Sequence, residues 1–200
     1  MMWRSNGLTR RERRIEPTNT VFFHSITSNN MSLLRASLLG GVDGVITSFA
    51  IIAGTHAGEM TMNTLWVIGI SSLIADGLSM GVSEYLSSTT ASAKGEQLQN
   101  ANDASPLSLG VACFVSFVVC GIVPTVLYAV TSGRLLAVAM FSLVELMLLG
   151  AARTLFSREN LLWGLVQTAS LGAVAGTVAY GVGVGVHSLT TEEYAVQGGV

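Results

Sequence analysis

Five long apolar stretches separated by short polar breaks dominate this chain of 200 residues. Each is close to or longer than the ~20 residues with which an α-helix crosses ~30 Å of hydrocarbon. Transmembrane β-strands instead alternate apolar and polar residues over ~10 positions, which the nearly continuous apolar run Leu135–Leu149 does not do. The sequence therefore predicts an all-α integral membrane protein with five transmembrane helices in residues 33–187. Their expected limits are Leu33–Thr55, Thr64–Ser87, Leu107–Val130, Leu135–Phe156 and Leu161–Val186.

The basic residues are distributed unevenly between the two sides of such a bundle. Only Arg134 falls between the third and fourth stretches, and every other Lys and Arg falls on the opposite side. Lys and Arg near the spans favour the cytosolic side. We therefore expect a cytosolic N-terminus and 88–106 loop, and a C-terminal tail, 188–200, that is not cytosolic.

The first 32 residues are polar and contain the basic cluster Arg10–Arg14 and the helix breaker Pro17. No apolar segment of the kind found in signal peptides precedes the first span. The expectation is a disordered cytosolic tail.

Four acidic residues lie inside the apolar stretches: Asp43, Asp76, Glu84 and Glu145. An Asp near the centre of a bilayer costs roughly 2.5–3.5 kcal/mol on insertion scales. Such groups must be paired, protonated, hydrated or bound to a cation. Hydrated or cation-binding acids are typical of a transport pathway.

The second stretch has the most informative spacing. Asp76, Met80 and Glu84 recur every four residues and so share one face of a helix, which serines at 72, 79, 83 and 87 widen. Carboxylates alone suit Mg²⁺, Ca²⁺ and Mn²⁺, and a softer sulfur ligand shifts the preference toward later transition metals. The pattern suggests a divalent transition-metal site, although Met80 could equally fill a core.

Small residues line one side of the first and fifth stretches, including Gly40, Gly44, Gly176 and Gly183. Small residues let membrane helices approach closely. Two interpretations remain open: packing within one chain, or a seam between two copies. In the second, the Gly40-x-x-x-Gly44 segment would bring two Asp43 carboxylates to a shared axis.

Several segments carry a family resemblance. Residues 35–49, with Ala53-Gly54, resemble the first helix of the vacuolar iron transporter family, and residues 75–87, which include Ser79-Met80-Gly81 and Glu84-Tyr85, resemble its second. Residues 148–151 and 179–183 are similar to the ends of its fourth and fifth helices. The resemblance covers about residues 35–185.

The resemblance implies a homodimer of five-helix protomers that moves Fe²⁺, and often Mn²⁺, out of the cytosol in exchange for protons. It implies a vacuolar or other endomembrane location. The matching positions place Asp43 and Met80 on the ion path at the dimer interface, with Glu84 near its cytosolic mouth. The metal is cargo, so no cofactor is expected. The expected partners are the metal, protons, the bilayer and a second copy, with no nucleic acid.

The chain departs from the family at three points. Val42 stands where members usually carry Asn, and the 88–106 loop is short where many members have a long metal-collecting insert. Asp76 and Glu145 have no assigned position in the family motif. Asp76 joins the metal ligands on spacing alone, and Glu145 is either a structural partner of a neighbouring helix or a proton-binding site.

Other reactive patterns are sparse. The sequence contains no nucleotide-binding loop, nucleophile–base pair or Cys/His cluster, so an enzyme is not expected. His56 and His187, at the non-cytosolic helix ends, could be polar caps or a weak exit site. Two alternatives to a transporter remain: a passive divalent-cation channel, and a non-transporting scaffold whose acids are structural pairs.

Overall fold

The computed structural model describes residues 18–93, 104–157 and 160–197, and in these ranges it consists of five α-helices. All five contain a segment long and apolar enough to cross a membrane, which confirms the predicted spans. Large apolar side chains such as Val67, Leu136 and Leu162 are 70%, 77% and 77% exposed on the outer surface, as suits contact with lipid. The helices are α1 (Thr18–Ala57), α2 (Met62–Ala93), α3 (Pro106–Val130), α4 (Leu135–Ser157) and α5 (Leu161–Gln197).

Two helices extend further than the sequence indicated. α1 begins at Thr18, directly after Pro17, so residues 18–32 are helical where a disordered tail was expected. α5 continues beyond its apolar part to Gln197. The basic cluster at 10–14, most of the 88–106 loop and the last three residues lie outside the described ranges.

The central contact of the bundle joins α1 to α3, and α1 also packs on α5, α4 and α2. Gly40 and Gly44 of α1 lie directly on the backbone of α3, where an added Cβ would overlap the carbonyl oxygens of Cys113 and Phe117. The protein's own α3 therefore fills this face. The hypothesis that the Gly40–Gly44 face is a seam between two copies is wrong, because no space is left for a second chain.

The contact between α2 and α3 also depends on glycine. α2 buries Leu65, Gly69, Leu73, Gly77 and Gly81, a repeat of four that forms one stripe of the helix. A Cβ on Gly81 would lie 2.8 Å from the Gly110 carbonyl oxygen, and one on Gly110 would lie 2.6 Å from that of Gly81. The two backbones are therefore in mutual contact.

The small residues of α5 also pack within the chain. A Cβ on Gly183 would overlap the Gly54 carbonyl oxygen of α1, and one on Gly176 would overlap the ring of Phe49. Of the two interpretations of the glycine stripes, packing within one chain is the one the structure supports.

We expect Gly44→Ala to destabilise the protein by about 1–3 kcal/mol, the usual cost of forcing a methyl group into a packed interior. Gly185→Ala is the matched control, because nothing lies within 4 Å of a Cβ at that exposed position of α5. Thermal unfolding in detergent measures both. A Gly44→Ala variant as stable as the control would contradict the described contact between α1 and α3.

Candidate functional site

The predicted ladder of α2 lies on one side of an unbroken helix. Asp76 is exposed on the surface of the protomer, whereas Met80 and Glu84 are half-buried. Asp76 and Met80 each precede a glycine, Gly77 and Gly81, that faces α3. Because successive residues are about 100° apart around a helix, the ladder lies beside the α2–α3 contact and remains accessible.

Asp43 occupies the equivalent place on α1. It is exposed and directly precedes Gly44, which lies on the backbone of α3. Asp43 and Asp76 are close enough to interact electrostatically. The structure thus brings together two acids from different helices whose proximity the sequence did not reveal. Like charges that interact repel each other, and a bound cation relieves that repulsion.

Cys113 of α3 connects the remaining members of the set. Its side chain is fully buried, and its thiol lies within electrostatic range of both Asp43 and Glu84. Asp43, Asp76, Met80 and Glu84 therefore form one surface across α1 and α2 with α3 beneath it, here called the acidic face. Exposed serines extend its polar character along α2, where the Ser83 hydroxyl donates to the Ser79 carbonyl at 2.8 Å.

One protomer does not complete a metal site on this face. Among the described residues, no three His, Cys, Asp or Glu side chains are placed to hold one metal ion. The face has suitable ligand types, two or three carboxylates and a thioether, but its outer side is open. Any further ligands must come from water or from another chain.

Val42, the neighbour of Asp43, lies away from the acidic face. It packs in an apolar cluster with Val45, Ile46 and Leu146, which joins α1 to α4. An apolar side chain suits that contact. Val42 therefore contributes to the α1–α4 packing and not to the acidic face.

Glu145 lies in a different environment from the other acids. It is half-buried on α4, and its Oε2 is buried without a hydrogen-bond partner among the described residues. It interacts electrostatically with Cys120 of α3. No hydrogen bond to this oxygen therefore supports the interpretation of Glu145 as a structural partner of a neighbouring helix.

The two histidines at the opposite end of the bundle form polar contacts. His56 Nδ1 lies 2.8 Å from the Tyr128 hydroxyl, and the two rings meet edge to face. His187 Nε2 lies 3.9 Å from Glu59 Oε2 at the surface. The Tyr128 contact ties α1 to α3, which agrees with the interpretation of His56 as a polar cap.

Comparison with known proteins gives consistent matches. A vacuolar iron transporter of Toxoplasma gondii (strain ATCC 50861 / VEG) is 36% identical over 61 residues, which cover 30% of this chain and 20% of that protein. A vacuolar iron transporter of Plasmodium falciparum (isolate 3D7) is 41% identical over 66 residues, 33% of this chain and 23% of that protein. A third, from Plasmodium berghei (strain Anka), is 39% identical over 66 residues, with the same coverage.

The matched part therefore spans about a fifth of the length of these relatives. The model of the VIT family matches much more of the chain, in two segments, 34–101 and 91–184, that meet at the connection between α2 and α3. These segments contain the acidic face and all or most of each of the five membrane-spanning segments. The chain belongs to the VIT family.

Proposed function

We propose that this protein transports a divalent transition metal, Fe²⁺ first and Mn²⁺ second, out of the cytosol into a vacuole-like lumen or the exterior. The observation that carries the proposal is the acidic face, which presents Asp43, Asp76, Met80 and Glu84 together on membrane-spanning helices. Charged side chains are expensive in hydrocarbon and mark ion pathways. The names of the three relatives support iron as the cargo.

The ligand types support a transition metal. The carboxylates of Asp43, Asp76 and Glu84 supply the negative charge that attracts a divalent cation, and their repulsion is relieved when the cation binds. The Met80 thioether is a soft ligand that discriminates against Mg²⁺ and Ca²⁺. Water completes the coordination as the ion enters and leaves, so no tight resident site is needed.

Exchange of the metal for protons would limit the charge that crosses the bilayer, because uncompensated charge is costly in a medium of low dielectric constant. We propose that protons entering from the lumen displace the metal and return to the cytosol as the transporter resets. The runner-up, a passive channel, uses the same ligands without this exchange.

The scaffold alternative is less favoured by the contacts. It requires the acids to be structural ion pairs, but the ion pair found within the described residues is between His187 and Glu59, outside the acidic face. Unpaired exposed acids contribute nothing to the packing of a scaffold. They are useful where an ion must bind and leave.

We further propose that two copies pair through the acidic face. Pairing would cover its open side, double its ligands and enclose a path that one protomer leaves incomplete. Two-fold pairing is the commonest closed arrangement of identical chains. The seam lies beside the Gly40–Gly44 contact, not on it, because α3 occupies that contact.

The first test of transport uses ligand variants. Asp43→Asn and Met80→Ala should each lower Fe²⁺ and Mn²⁺ uptake into proteoliposomes by about tenfold or more, since tenfold corresponds to about 1.4 kcal/mol of lost binding. Glu59→Gln and Met147→Ala are the matched controls, being exposed positions away from the acidic face. Undiminished uptake in Asp43→Asn or Met80→Ala, with the protein folded, would remove these residues from the pathway.

The second test concerns proton coupling. Acidifying the side to which the metal moves supplies the protons that travel in the opposite direction, so uptake by the native protein should accelerate. The control is the same pH on both sides, at each of the two values used. Uptake that responds to pH but not to the gradient would indicate the passive channel.

The third test concerns the dimer. Ser79→Cys, at the exposed edge of the acidic face, should form a disulfide between protomers on mild oxidation in vesicles. Val182→Cys is the control, because its side chain is exposed on α5, which does not contact α2. Light scattering in detergent should give twice the protein mass of 20.9 kDa. A monomeric mass with no cross-link at position 79 would contradict the proposed seam.

A further inference from the structure

We propose that Glu145 of α4 is a proton-binding site of each protomer, separate from the acidic face, and that its proton is the one exchanged during transport. The first part stands on the structure alone. The second part, the coupling, rests on the proposed function. The two parts have separate tests.

The surroundings of Glu145 contain no cation to balance a charge. Its Oε2 is buried without a hydrogen-bond partner, and no Lys, Arg or His lies within 4 Å of its carboxylate in the described part of the chain. Arg153 follows eight residues later on α4, which is ~12 Å along the helix axis. An ionised carboxylate so placed would have one oxygen buried with no balancing charge, and buried uncompensated groups tend to become neutral. A proton is the simplest way to achieve that.

The helices packed around Glu145 provide few titratable groups. From α3 the Cys120 thiol interacts with it electrostatically. α1 presents Gly41, where a Cβ would lie 3.1 Å from the Cys120 sulfur and 3.6 Å from Leu149, one turn beyond Glu145. α5 has no acidic or basic residue in 161–186. One carboxylate and one thiol are too few to hold a metal, which agrees with the lack of a three-residue cluster among the described side chains.

Two serine hydroxyls are buried in the helices that pack near Glu145. Ser142, one turn earlier on α4, and Ser48 of α1 are 1% and 2% exposed, and neither hydroxyl has a hydrogen-bond partner among the described residues. Ser142 lies between Val138 and Leu146, which pack with Ile52 and Val45 of α1 respectively. Ser48 lies between those same two residues of α1, and its hydroxyl faces α3, where a Cβ on Gly121 would lie 2.9 Å from the Ser48 oxygen. Hydroxyls both donate and accept, and Ser142 is the one that shares a helix with Glu145.

The site is tested by infrared spectroscopy of the purified full chain in bilayers. The spectrum of the native protein, after subtraction of the spectrum of Glu145→Gln, should show the carbonyl stretch of a protonated carboxyl at neutral pH. This band should shift in D₂O. Glu192→Gln, at an exposed position of α5, should keep the band. Glu145→Asp should also keep it, since a shorter acid can still hold the proton. A difference spectrum without this band at neutral pH would overturn the proposal, whatever the transport results.

The coupling is tested in proteoliposomes loaded with a metal indicator. Glu145→Gln should lose the acceleration caused by the pH gradient while Mn²⁺ binding to the detergent-solubilised protein keeps its native affinity. Acceleration equal to that of the native protein would overturn the coupling. If the native protein moves no metal, the proposed function fails, and the infrared band still decides whether Glu145 holds a proton.

Discussion

The direct contact between the backbones of α1 and α3 determines how this bundle presents its acids. Gly40 and Gly44 allow the two helices to touch, and a helix turns by about 100° per residue, so Asp43 is rotated out of the contact that Gly44 makes. The same relation holds on α2, where Gly77 faces α3 and Asp76 lies beside it. Glycine therefore does two things here: it brings the helices together, and it leaves the neighbouring position free for a ligand.

Much of this architecture could be predicted from local patterns. Continuous apolar runs are long enough to identify all five spans, and a spacing of four places Asp76, Met80 and Glu84 on one face of any unbroken helix. The partner of a glycine stripe cannot be predicted in this way, because a small-residue face suits any close helix. For that reason the sequence around Gly40 and Gly44 is compatible with a second copy, whereas in the structure α3 occupies the space. The proximity of Asp43 to Asp76 depends equally on tertiary packing, since residues so far apart in sequence have no local signal.

The ends of the helices are a second feature that hydropathy does not predict. Hydropathy detects the part of a helix that lipid can surround, so it gave the apolar segment of α1 and not its polar start at Thr18. Likewise α5 continues to Gln197 after its apolar residues end. Helical turns of polar residues are stabilised by their own backbone hydrogen bonds and need no apolar run. Extensions of this kind are therefore missed when apolar length is the criterion.

The acids of the spans fall into two physical classes that suit different ions. Those of the acidic face are accessible, lie near one another and are accompanied by a thioether, which is the environment of a divalent cation. Glu145 is half-buried, with one carboxylate oxygen buried and unpartnered among the described residues and the Cys120 thiol within electrostatic range, an environment that suits a proton. A carrier that exchanges the two ions at one site must release one before it binds the other. Val45 and Ile46 pack with Leu146 of α4 on one side of α1, while Asp43 is exposed on another side. With separate sites, each ion could therefore affect the other through the packing of α1. Under the proposed exchange, α1 is the element that the two sites share, since it packs on α3 beside the acidic face and on α4 beside Glu145.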